Sequence, residues 1–348
     1  MHKPSEQEHK FTSTGIKFWR HQEQMLNYRV GNPNTVISTH ISPEGVCNLS
    51  CPYCSVTERD IHNRIEVDVI MDYVYQLKAR GLKAVILTGG GEPTAYKEIN
   101  ELVQWLKSED LSVALITNGT LTKRLKPETL KCFSWIRVSI NAFEGWEDKI
   151  QFPYHDLNDD CVVGCSTVFT PLHEKPEELY DEVAYFNKCA KVADRCGAKY
   201  IRVLPNCLLP QDQLIAEHAR LDEVFTKVGD TRFFHQYKLH GAPNSPTCHQ
   251  AYFRPYLSEV GGGMVFPCDS VVLNDELAHF NGMYSICAAE DIGEFMDRRI
   301  QMKFDPRKAC AGCVFTKNVN MLEDWVVGGN SKGDFDLYKE KLVHEEFV

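Results

Sequence analysis

The sequence feature that most limits the fold is an alternation of short apolar runs and helical patterns through the middle of the chain. The runs are rich in Val and Ile and mostly apolar on both faces, as buried parallel strands are. Amphipathic helical patterns lie between most of them and end near glycines such as Gly81 and Gly197. The six predicted strands are Thr35–Ser42, Ala84–Thr88, Ser112–Thr117, Trp135–Asn141, Cys161–Thr170 and Tyr200–Leu204. This order predicts an α/β fold whose βα units build a parallel sheet or barrel.

The pattern changes after about residue 230. Ser258–Cys268 predicts two short strands around a triple-glycine turn, and a helix is expected near Glu290–Lys303. The tail Met321–Val348 is expected to be helical at its end and to pack on the barrel. We therefore divide the chain into an N-terminal extension, a core and a smaller C-terminal domain with the tail, over residues 1–33, 34–230 and 231–348.

Composition excludes several classes of protein. The chain has 38 Lys and Arg residues against 48 Asp and Glu, a net charge of −10, which argues against a continuous basic surface for nucleic acid. It has no apolar run of about 18 residues, so no membrane partner is expected. Met1–Lys10 has no apolar core of a secretory signal. Fourteen cysteines without an export signal favour a cytoplasmic location, where clustered cysteines more often hold a metal than form disulfides.

A first cysteine cluster, Cys47, Cys51 and Cys54, directly follows the first predicted strand. Thiolates are soft ligands that suit zinc or an iron–sulfur cluster. A closed zinc site needs four ligands, and the nearest histidines, His40 and His62, do not obviously complete one. Three ligands on a four-iron cluster leave one iron free to bind a substrate or cofactor. The Cys-x3-Cys-x2-Cys spacing therefore favours an iron–sulfur cluster, with zinc as the alternative.

This triplet, with Tyr53 before its third cysteine, resembles the signature of radical S-adenosylmethionine (radical SAM) enzymes. A second match is the segment 88–94, TGGGEPT, at the end of the second predicted strand, which is similar to that family's Gly-Gly-Glu-Pro segment. The resemblance implies a partial (β/α)6 TIM-like barrel. It also implies a [4Fe–4S] cluster on the three cysteines, with S-adenosylmethionine (SAM) bound to the open iron.

The same resemblance implies which residues contact the cofactor, and Tyr53 is one of them. Gly90, Gly91 and Glu92 are expected to bind its methionine amino group, because glycine lets backbone carbonyls approach an ammonium group closely. Asn118 and Ser139 end the third and fourth predicted strands, where the family often uses polar residues for the ribose and carboxylate. Helix capping and turn formation are the alternative roles of these two residues. Gln151 stands where related enzymes often have an Arg, which leaves the carboxylate contact open.

A second cluster consists of Cys248, Cys268, Cys310 and Cys313, separated by 19, 41 and 2 residues. It resembles the C-terminal Twitch module of the radical SAM family, a short relative of the SPASM module. The resemblance implies an auxiliary [4Fe–4S] cluster, with a four-thiolate zinc site and a substitution by Cys287 as alternatives. The other six cysteines are interpreted as ordinary buried thiols: Cys132, Cys161, Cys165, Cys189, Cys196 and Cys207.

The resemblance implies an enzyme that reductively cleaves SAM to make a 5′-deoxyadenosyl radical. The radical abstracts hydrogen from an unactivated C–H bond, and the enzyme thereby oxidises or rearranges a small natural-product or peptide substrate. A reductant such as flavodoxin or ferredoxin is the expected partner. One alternative is a nucleobase or nucleotide hypermodification enzyme, an isomerase on a modified base, for which the basic run Lys123, Arg124 and Lys126 is the weak indication. Another is a non-catalytic metal-binding scaffold.

No catalytic acid or base is assigned from the sequence. Candidates for handling a proton or binding substrate are His40, Arg202, Arg254 and Asp269. Arg202 lies in the sixth predicted strand and Asp269 follows an expected ligand of the auxiliary cluster. A structural salt bridge or a surface position is the alternative interpretation of each.

Overall fold

The computed structural model describes residues 5–143, 145–170, 181–328, 335 and 342–348. Within these residues ten strands form one sheet in the order β10-β9-β8-β1-β2-β3-β4-β5-β6-β7. They are β1 (Ser38–Ile41), β2 (Ala84–Leu87), β3 (Ser112–Thr117), β4 (Phe133–Ser139), β5 (Val162–Phe169), β6 (Ile201–Pro205), β7 (Phe233–His235), β8 (Tyr256–Ser258), β9 (Met264–Phe266) and β10 (Cys287–Ala288).

The strands β1 to β7 are all parallel to their neighbours. β8 lies parallel to β1 on its other side, and β9 and β10 then continue the sheet antiparallel. Gly261, Gly262 and Gly263 join β8 to β9 with positive φ angles, which only glycine adopts without strain. The expected α/β fold with a parallel sheet is confirmed, and so are the two short strands around the triple glycine.

Twelve α-helices accompany the sheet in the described part of the chain. They are α1 (Glu6–Phe11), α2 (Gln22–Val30), α3 (Val67–Lys78), α4 (Ile99–Ser108), α5 (Pro127–Leu130), α6 (Trp146–Lys149), α7 (Glu182–Arg195), α8 (Gln211–Phe225), α9 (Glu276–Phe280), α10 (Ile292–Arg298), α11 (Pro306–Ala309) and α12 (Thr316–Gly328). The predicted apolar stripes of α3 and α4 lie in the main hydrophobic core. Of the residues predicted to form the stripe of α7, Phe186 and Ala193 lie in this core and Ala190 packs against it, whereas Val183 is only partly buried and Leu179 lies outside the described residues. None of these helices is long and apolar enough to cross a membrane.

Several elements differ from the sequence-based expectation. The short strands β7 and β10 were not predicted, since runs of two or three residues give little periodicity to detect. The helix expected over Glu290–Lys303 is shortened to α10, because Arg299 has a left-handed backbone with φ of 47°. The tail is helical at its start, in α12, whereas the end over 342–348 consists of turns and loop. Phe347 and Val348 are buried there, so tertiary contacts replace helix formation.

The concave face of the sheet encloses a small apolar cluster separate from the main core. Ala84, Ala114, Ile86 and Trp135 contribute to it from the strands, and Phe347 comes from the end of the tail. The rings of Trp135 and Phe347 contact each other edge to face, with centroids 5.4 Å apart. Since alanine side chains leave space on the strands, the tail fills this part of the interior.

Candidate active site

The carboxyl ends of β1 to β4 surround a cavity of about 260 Å³. The edge at which parallel strands end is where such sheets place ligands, because the connecting loops converge there. All nine residues expected to hold the first cluster and SAM line this cavity: Cys47, Cys51, Tyr53, Cys54, Gly90, Gly91, Glu92, Asn118 and Ser139. The fold therefore brings together residues that are up to 92 positions apart, from Cys47 to Ser139.

The three cysteines lie on the loop between β1 and α3, which Arg59 braces from within. Its guanidinium donates to the carbonyl oxygens of Gly45 and Val56 at 2.9 and 2.8 Å, and lies 3.7 Å from the sulfur of Cys54. The cysteines are free thiols and only partly buried. Burial raises the pKa of Cys47 and raises that of Cys51 to about 11. A bound cationic metal centre would offset this cost of ionisation, so the donor set fits a thiolate-ligated metal site.

Within the described ranges, no three Cys, His, Asp or Glu side chains converge on one metal-ion position. A four-iron cluster sets a different geometric requirement, because each thiolate binds a separate iron atom. The three thiols on one wall of the cavity meet that requirement in number and in chemical type. The choice between an iron–sulfur cluster and zinc stays a prediction.

The glycine-rich segment after β2 packs tightly against the cysteine loop. The backbone N–H groups of Gly91 and Glu92 donate to the carbonyl oxygens of Glu44 and Val46 at 2.9 and 2.7 Å. A Cβ atom on Gly91 would lie 2.1 Å from the Val46 oxygen, and one on Gly90 would lie 1.9 Å from Oε1 of Glu259. Glycine is therefore required here by protein packing, in addition to the close approach to a ligand that the sequence suggests.

Glu92 connects the ends of β2 and β3 through its carboxylate. The hydroxyl groups of Thr117 and Thr94 donate to Oε1 at 2.5 and 2.6 Å, and the backbone N–H of Asn118 donates to Oε2 at 2.7 Å. Burial raises the pKa of Glu92, while these hydrogen bonds act in the opposite direction. The side chain thus positions two loops of the cavity, and its expected contact with the cofactor stays a prediction.

Amide and hydroxyl groups join the cysteine loop to the next strands. The phenol of Tyr53 donates to Oδ1 of Asn141 at 3.1 Å, just beyond the end of β4. Nδ2 of Asn118 donates to Oδ1 of Asn48 at 2.9 Å. Asn141 and Glu259 were not among the sequence candidates; the only signal for Asn141 was its position at the end of the fourth predicted strand, and Glu259 had none.

A second cavity, of about 250 Å³, lies inside the curve of the sheet. Side chains from β1, β2, β3, β4 and β6 line it, so the sheet bends around this space. Thr88 and Ile116 line both this cavity and the first one, which places the two spaces next to each other. A group bound in one therefore lies close to a group bound in the other. We call the second space the inner cavity.

All four candidates for substrate binding or proton handling line the inner cavity: His40, Arg202, Arg254 and Asp269. Nδ1 of His40 and Nη2 of Arg254 lie 3.3 and 3.1 Å from the carboxylate of Asp269. Burial acts to raise the pKa of Asp269, but the positive charges of His40 and Arg254 outweigh it and lower that pKa. The same cavity is also lined by Lys17, Arg137 and Lys238, which were not among the candidates from the sequence.

The four cysteines of the second cluster line a small separate cavity and are all buried free thiols. Burial is the main cause that raises the pKa of each one. The side-chain amide of Gln250, which lines the same cavity, is buried and has no hydrogen-bond partner. Four thiols and an unpaired amide around one space fit a thiolate-ligated metal centre. Cys287 lies in β10 and does not line this cavity.

The remaining sequence candidates lie elsewhere. Lys123, Arg124 and Lys126 are exposed on the outer surface, as expected for a solvated basic run. Cys165, Cys189 and Cys196 are fully buried, as ordinary core thiols are, whereas the other three unassigned cysteines are only partly buried: Cys132, Cys161 and Cys207. The amide of Gln151 donates to the carbonyl of Asp148 at 2.7 Å and does not line the first cavity.

The match to a known protein family lies in the first half of the chain. Residues 41–157 match the model of the radical SAM superfamily. The chain is 31% identical over 109 residues to the Fe-coproporphyrin III synthase of Methanosarcina barkeri, covering 30% of this chain and 27% of that protein. It is 36% identical over 118 residues to a probable GTP 3′,8-cyclase of Pyrococcus horikoshii, covering 34% and 37%. The matched segments thus span less than two fifths of these relatives.

Among solved structures, the chain resembles Streptococcus suis SuiB bound to the precursor peptide SuiA. The TM-score is 0.50 at 13% sequence identity, and the alignment covers 87% of this chain and 76% of that chain. At this identity the likeness concerns the fold alone, and it confirms the expected α/β fold with a partial barrel.

Proposed function

We propose that this protein is a radical SAM enzyme that oxidises or rearranges a small natural-product or peptide substrate. Residues 41–157 match the model of the radical SAM superfamily, whose members use a [4Fe–4S] cluster and SAM. The observation that carries the proposal is the shared wall of the two cavities. All nine residues expected at the cluster and SAM line the first cavity, and at Thr88 and Ile116 it adjoins an inner cavity with room for a substrate.

In this proposal Cys47, Cys51 and Cys54 hold the first cluster, and the segment around Gly90 and Gly91 binds SAM together with Asn118 and Ser139. When bound, the cluster and SAM supply one-electron reduction and hydrogen abstraction from an unactivated C–H bond. A reductant such as flavodoxin or ferredoxin provides the electron. The protein's own part is to position the target C–H bond beside Thr88 and Ile116 and to exclude water.

Several contacts support that positioning role. Arg59 fixes the cysteine loop, and Glu92 fixes the ends of β2 and β3 through hydrogen bonds to Thr117 and to the backbone of Asn118. Phe347 fills the concave face of the sheet at Trp135 and limits the entry of water from that side. Reactive carbon radicals require such exclusion, because side reactions compete with the productive step.

We assign the second cysteine cluster to an auxiliary [4Fe–4S] cluster in a Twitch-like domain over residues 231–348. Four buried free thiols around one space support this assignment. An auxiliary cluster would serve as an electron acceptor in a net oxidation, and an isomerisation would not need one. The oxidoreductase class is therefore the proposal, with isomerase as the alternative.

The test is an anaerobic assay for 5′-deoxyadenosine with reconstituted protein, dithionite and SAM. The wild type and a Cys161→Ala variant are expected to form the product, since Cys161 lies outside both clusters. Cys51→Ala is expected to abolish it. Fully reconstituted wild-type protein that forms no 5′-deoxyadenosine would favour the non-catalytic scaffold.

A further inference from the structure

The inner cavity is lined by an unusual number of positive side chains. Lys17, Arg137, Arg202, Lys238 and Arg254 all contribute to its wall, and Asp269 is the only carboxylate among its lining residues. The whole chain, by contrast, carries a net charge of −10. Positive charge is therefore concentrated in the interior of an acidic protein.

Most of these cations have no carboxylate partner. Among the described residues, Asp269 pairs with Arg254 and His40, and no carboxylate lies within ion-pair distance of the other four cations. Lys17 donates to the backbone carbonyl groups of His344 and Phe347. Arg137 donates to the carbonyl of Phe11 at 2.7 Å and to the phenol of Tyr200 at 3.3 Å.

Arg202 and Lys238 have the fewest partners. Nη1 of Arg202 donates to Oε1 of Gln236 at 3.1 Å, and its Nε has no hydrogen-bond acceptor in the described part of the chain. The ammonium of Lys238 contacts the face of the Phe315 ring at 5.3 Å, and no described residue accepts a hydrogen bond from it. Both side chains remain partly accessible because they face the cavity.

Removing a cation from bulk water without a counter-charge costs free energy, because the cation loses its hydration. Burial accordingly lowers the pKa of Arg202 to about 9 and also lowers the pKa of Lys238. Groups of this kind cluster at functional sites, where a ligand of opposite charge can neutralise them. The cavity volume of about 250 Å³ lies below the range typical of sites for drug-sized ligands, so that ligand is compact.

We propose that the inner cavity binds a compact anionic substrate, bearing a phosphate group or two carboxylates, and that Arg202, Lys238 and Arg137 hold its negative charge. This inference rests on the proposed function, since it names the substrate class of the same site. Arg202 lies level with Ser139 across the sheet, because Ser139 pairs with Ser166 and Ser166 pairs with Arg202. The anionic group therefore anchors the molecule at the level of a residue that lines the first cavity.

A further cavity of about 430 Å³ adjoins the inner cavity, so a compact substrate held there by its anionic end can extend an uncharged part into it. Gln236, Lys238 and Phe315 line both spaces, so Lys238 lies at their junction. The uncharged part of such a substrate would lie toward the aromatic side chain of Trp19, which lines the larger space.

Calorimetric titration of the reconstituted holoprotein tests the inference. The probes are inorganic phosphate, pyrophosphate, succinate, and thymidine with and without its 5′-phosphate. We expect at least one anion to bind while uncharged thymidine does not. Succinate binding without phosphate binding would assign the charge to carboxylates, and the reverse result would assign it to a phosphate group. No binding by any anion overturns the inference.

Matched variants decide whether the cavity is the site. Arg202→Gln and Lys238→Met are each expected to weaken binding of the anion about tenfold or more, because each removes a charge-assisted hydrogen bond. Arg298→Gln and Lys227→Met, which remove charges from exposed surface positions, are expected to leave binding unchanged. Equal losses of anion affinity in all four variants would show that binding depends on the overall charge of the protein and not on the inner cavity. That result would overturn the inference.

Thermal unfolding supplies a readout independent of ligand affinity. If Arg202 and Lys238 are ligand-binding groups that lack a carboxylate partner, the ligand-free variants are expected to unfold at the same temperature as the wild type or higher. A marked fall in unfolding temperature would assign them a structural role instead. The 5′-deoxyadenosine assay on the same preparations separates the two proposals. If 5′-deoxyadenosine forms but no anion binds, only the inference about the anion is wrong. If an anion binds but no 5′-deoxyadenosine forms, only the proposed chemistry is wrong.

Discussion

At the residue scale, Gly90 has no room for a side chain because a buried carboxylate occupies the space. Glu259 enters from the end of β8 and accepts a hydrogen bond from the hydroxyl of Ser258 at 2.9 Å. Ser42, at the end of β1, accepts a hydrogen bond from the backbone N–H of Gly90 at 2.5 Å. Residues from three strand ends therefore meet at one glycine, and the conformation of the expected SAM-binding segment depends on all of them.

Gly90→Ala is expected to destabilise the protein by about 1–3 kcal/mol through overpacking and to weaken SAM binding. The clash is with Oε1 of Glu259, so adding Glu259→Ala should restore part of the lost stability. Gly229→Ala is the control, because a Cβ atom there meets nothing within 4 Å. Chemical denaturation and equilibrium dialysis with SAM measure both effects. If the effects of the two substitutions on stability simply add in the double variant, the clash with Glu259 is not the cause of the loss.

Glu44 provides a pH-dependent test on the cysteine loop. Burial raises the pKa of Glu44 to about 7, whereas in the unfolded chain a glutamate titrates at its ordinary 4.5. The folded state therefore holds this proton more tightly, and the stabilisation it gives is lost as the pH rises from about 4.5 to 7. Glu44→Gln should accordingly stabilise the protein more at pH 8 than at pH 5. Denaturation at the two pH values checks this, with exposed Glu101→Gln as the control; an equal effect at both would contradict it.

At the scale of elements, the two ends of the described chain complete the inside of the barrel. Phe11, at the end of α1, stacks on Tyr200 of the barrel wall with ring centroids 4.1 Å apart. The segment 342–348 reaches the same interior, where Lys17 donates to the carbonyls of His344 and Phe347. Neither segment belongs to the βα repeat, yet both form part of the inner cavity wall.

Phe347→Ala tests whether the tail is an integral part of the barrel. Removing the ring leaves a void beside Trp135, and we expect a loss of about 3–5 kcal/mol in the free energy of unfolding. Tryptophan fluorescence during denaturation reports the loss. Leu277→Ala, at an exposed position, should change stability little. A tail that merely rests on the barrel would give an effect as small as that of the control.

At the scale of the whole molecule, each of the two thiol-lined cavities adjoins the cation-lined inner cavity. Phe315 lines the cavity of the second cysteine cluster and also the inner cavity. Asp269, next to Cys268, reaches into the inner cavity as well. The proposed substrate space, the inner cavity, is therefore adjacent to both cysteine clusters, an arrangement that suits an oxidation in which electrons leave toward the second cluster.

Iron and sulfide analysis of anaerobically reconstituted protein tests this organisation. Two four-iron clusters correspond to about eight irons per chain, and a single cluster with zinc to about four. Cys313→Ser and Cys51→Ser should each lower the count by about four, whereas Cys161→Ser should not change it. A wild type with about four irons and one zinc would replace the auxiliary cluster by a structural zinc site.

The alternation of strands and helices, the cysteine spacings and the glycine-rich segment were readable from the sequence, because each depends on residues that are neighbours along the chain. Helix α3 and the strand β3 follow from local periodicity, and Cys47, Cys51 and Cys54 lie within eight residues. The two edge strands β7 and β10 escaped prediction, since two or three residues carry almost no periodic signal.

The sequence by itself thus determined the fold class and the chemical type of the expected cofactor site. Only the tertiary structure decided that Lys17, Arg137, Arg202 and Lys238 share one cavity, because they come from the N-terminal segment, β4, β6 and the chain after β7. No local pattern marks a charged side chain as facing inward. Its surroundings arise from contacts between segments that are far apart in the sequence, and those contacts exist only in the folded chain.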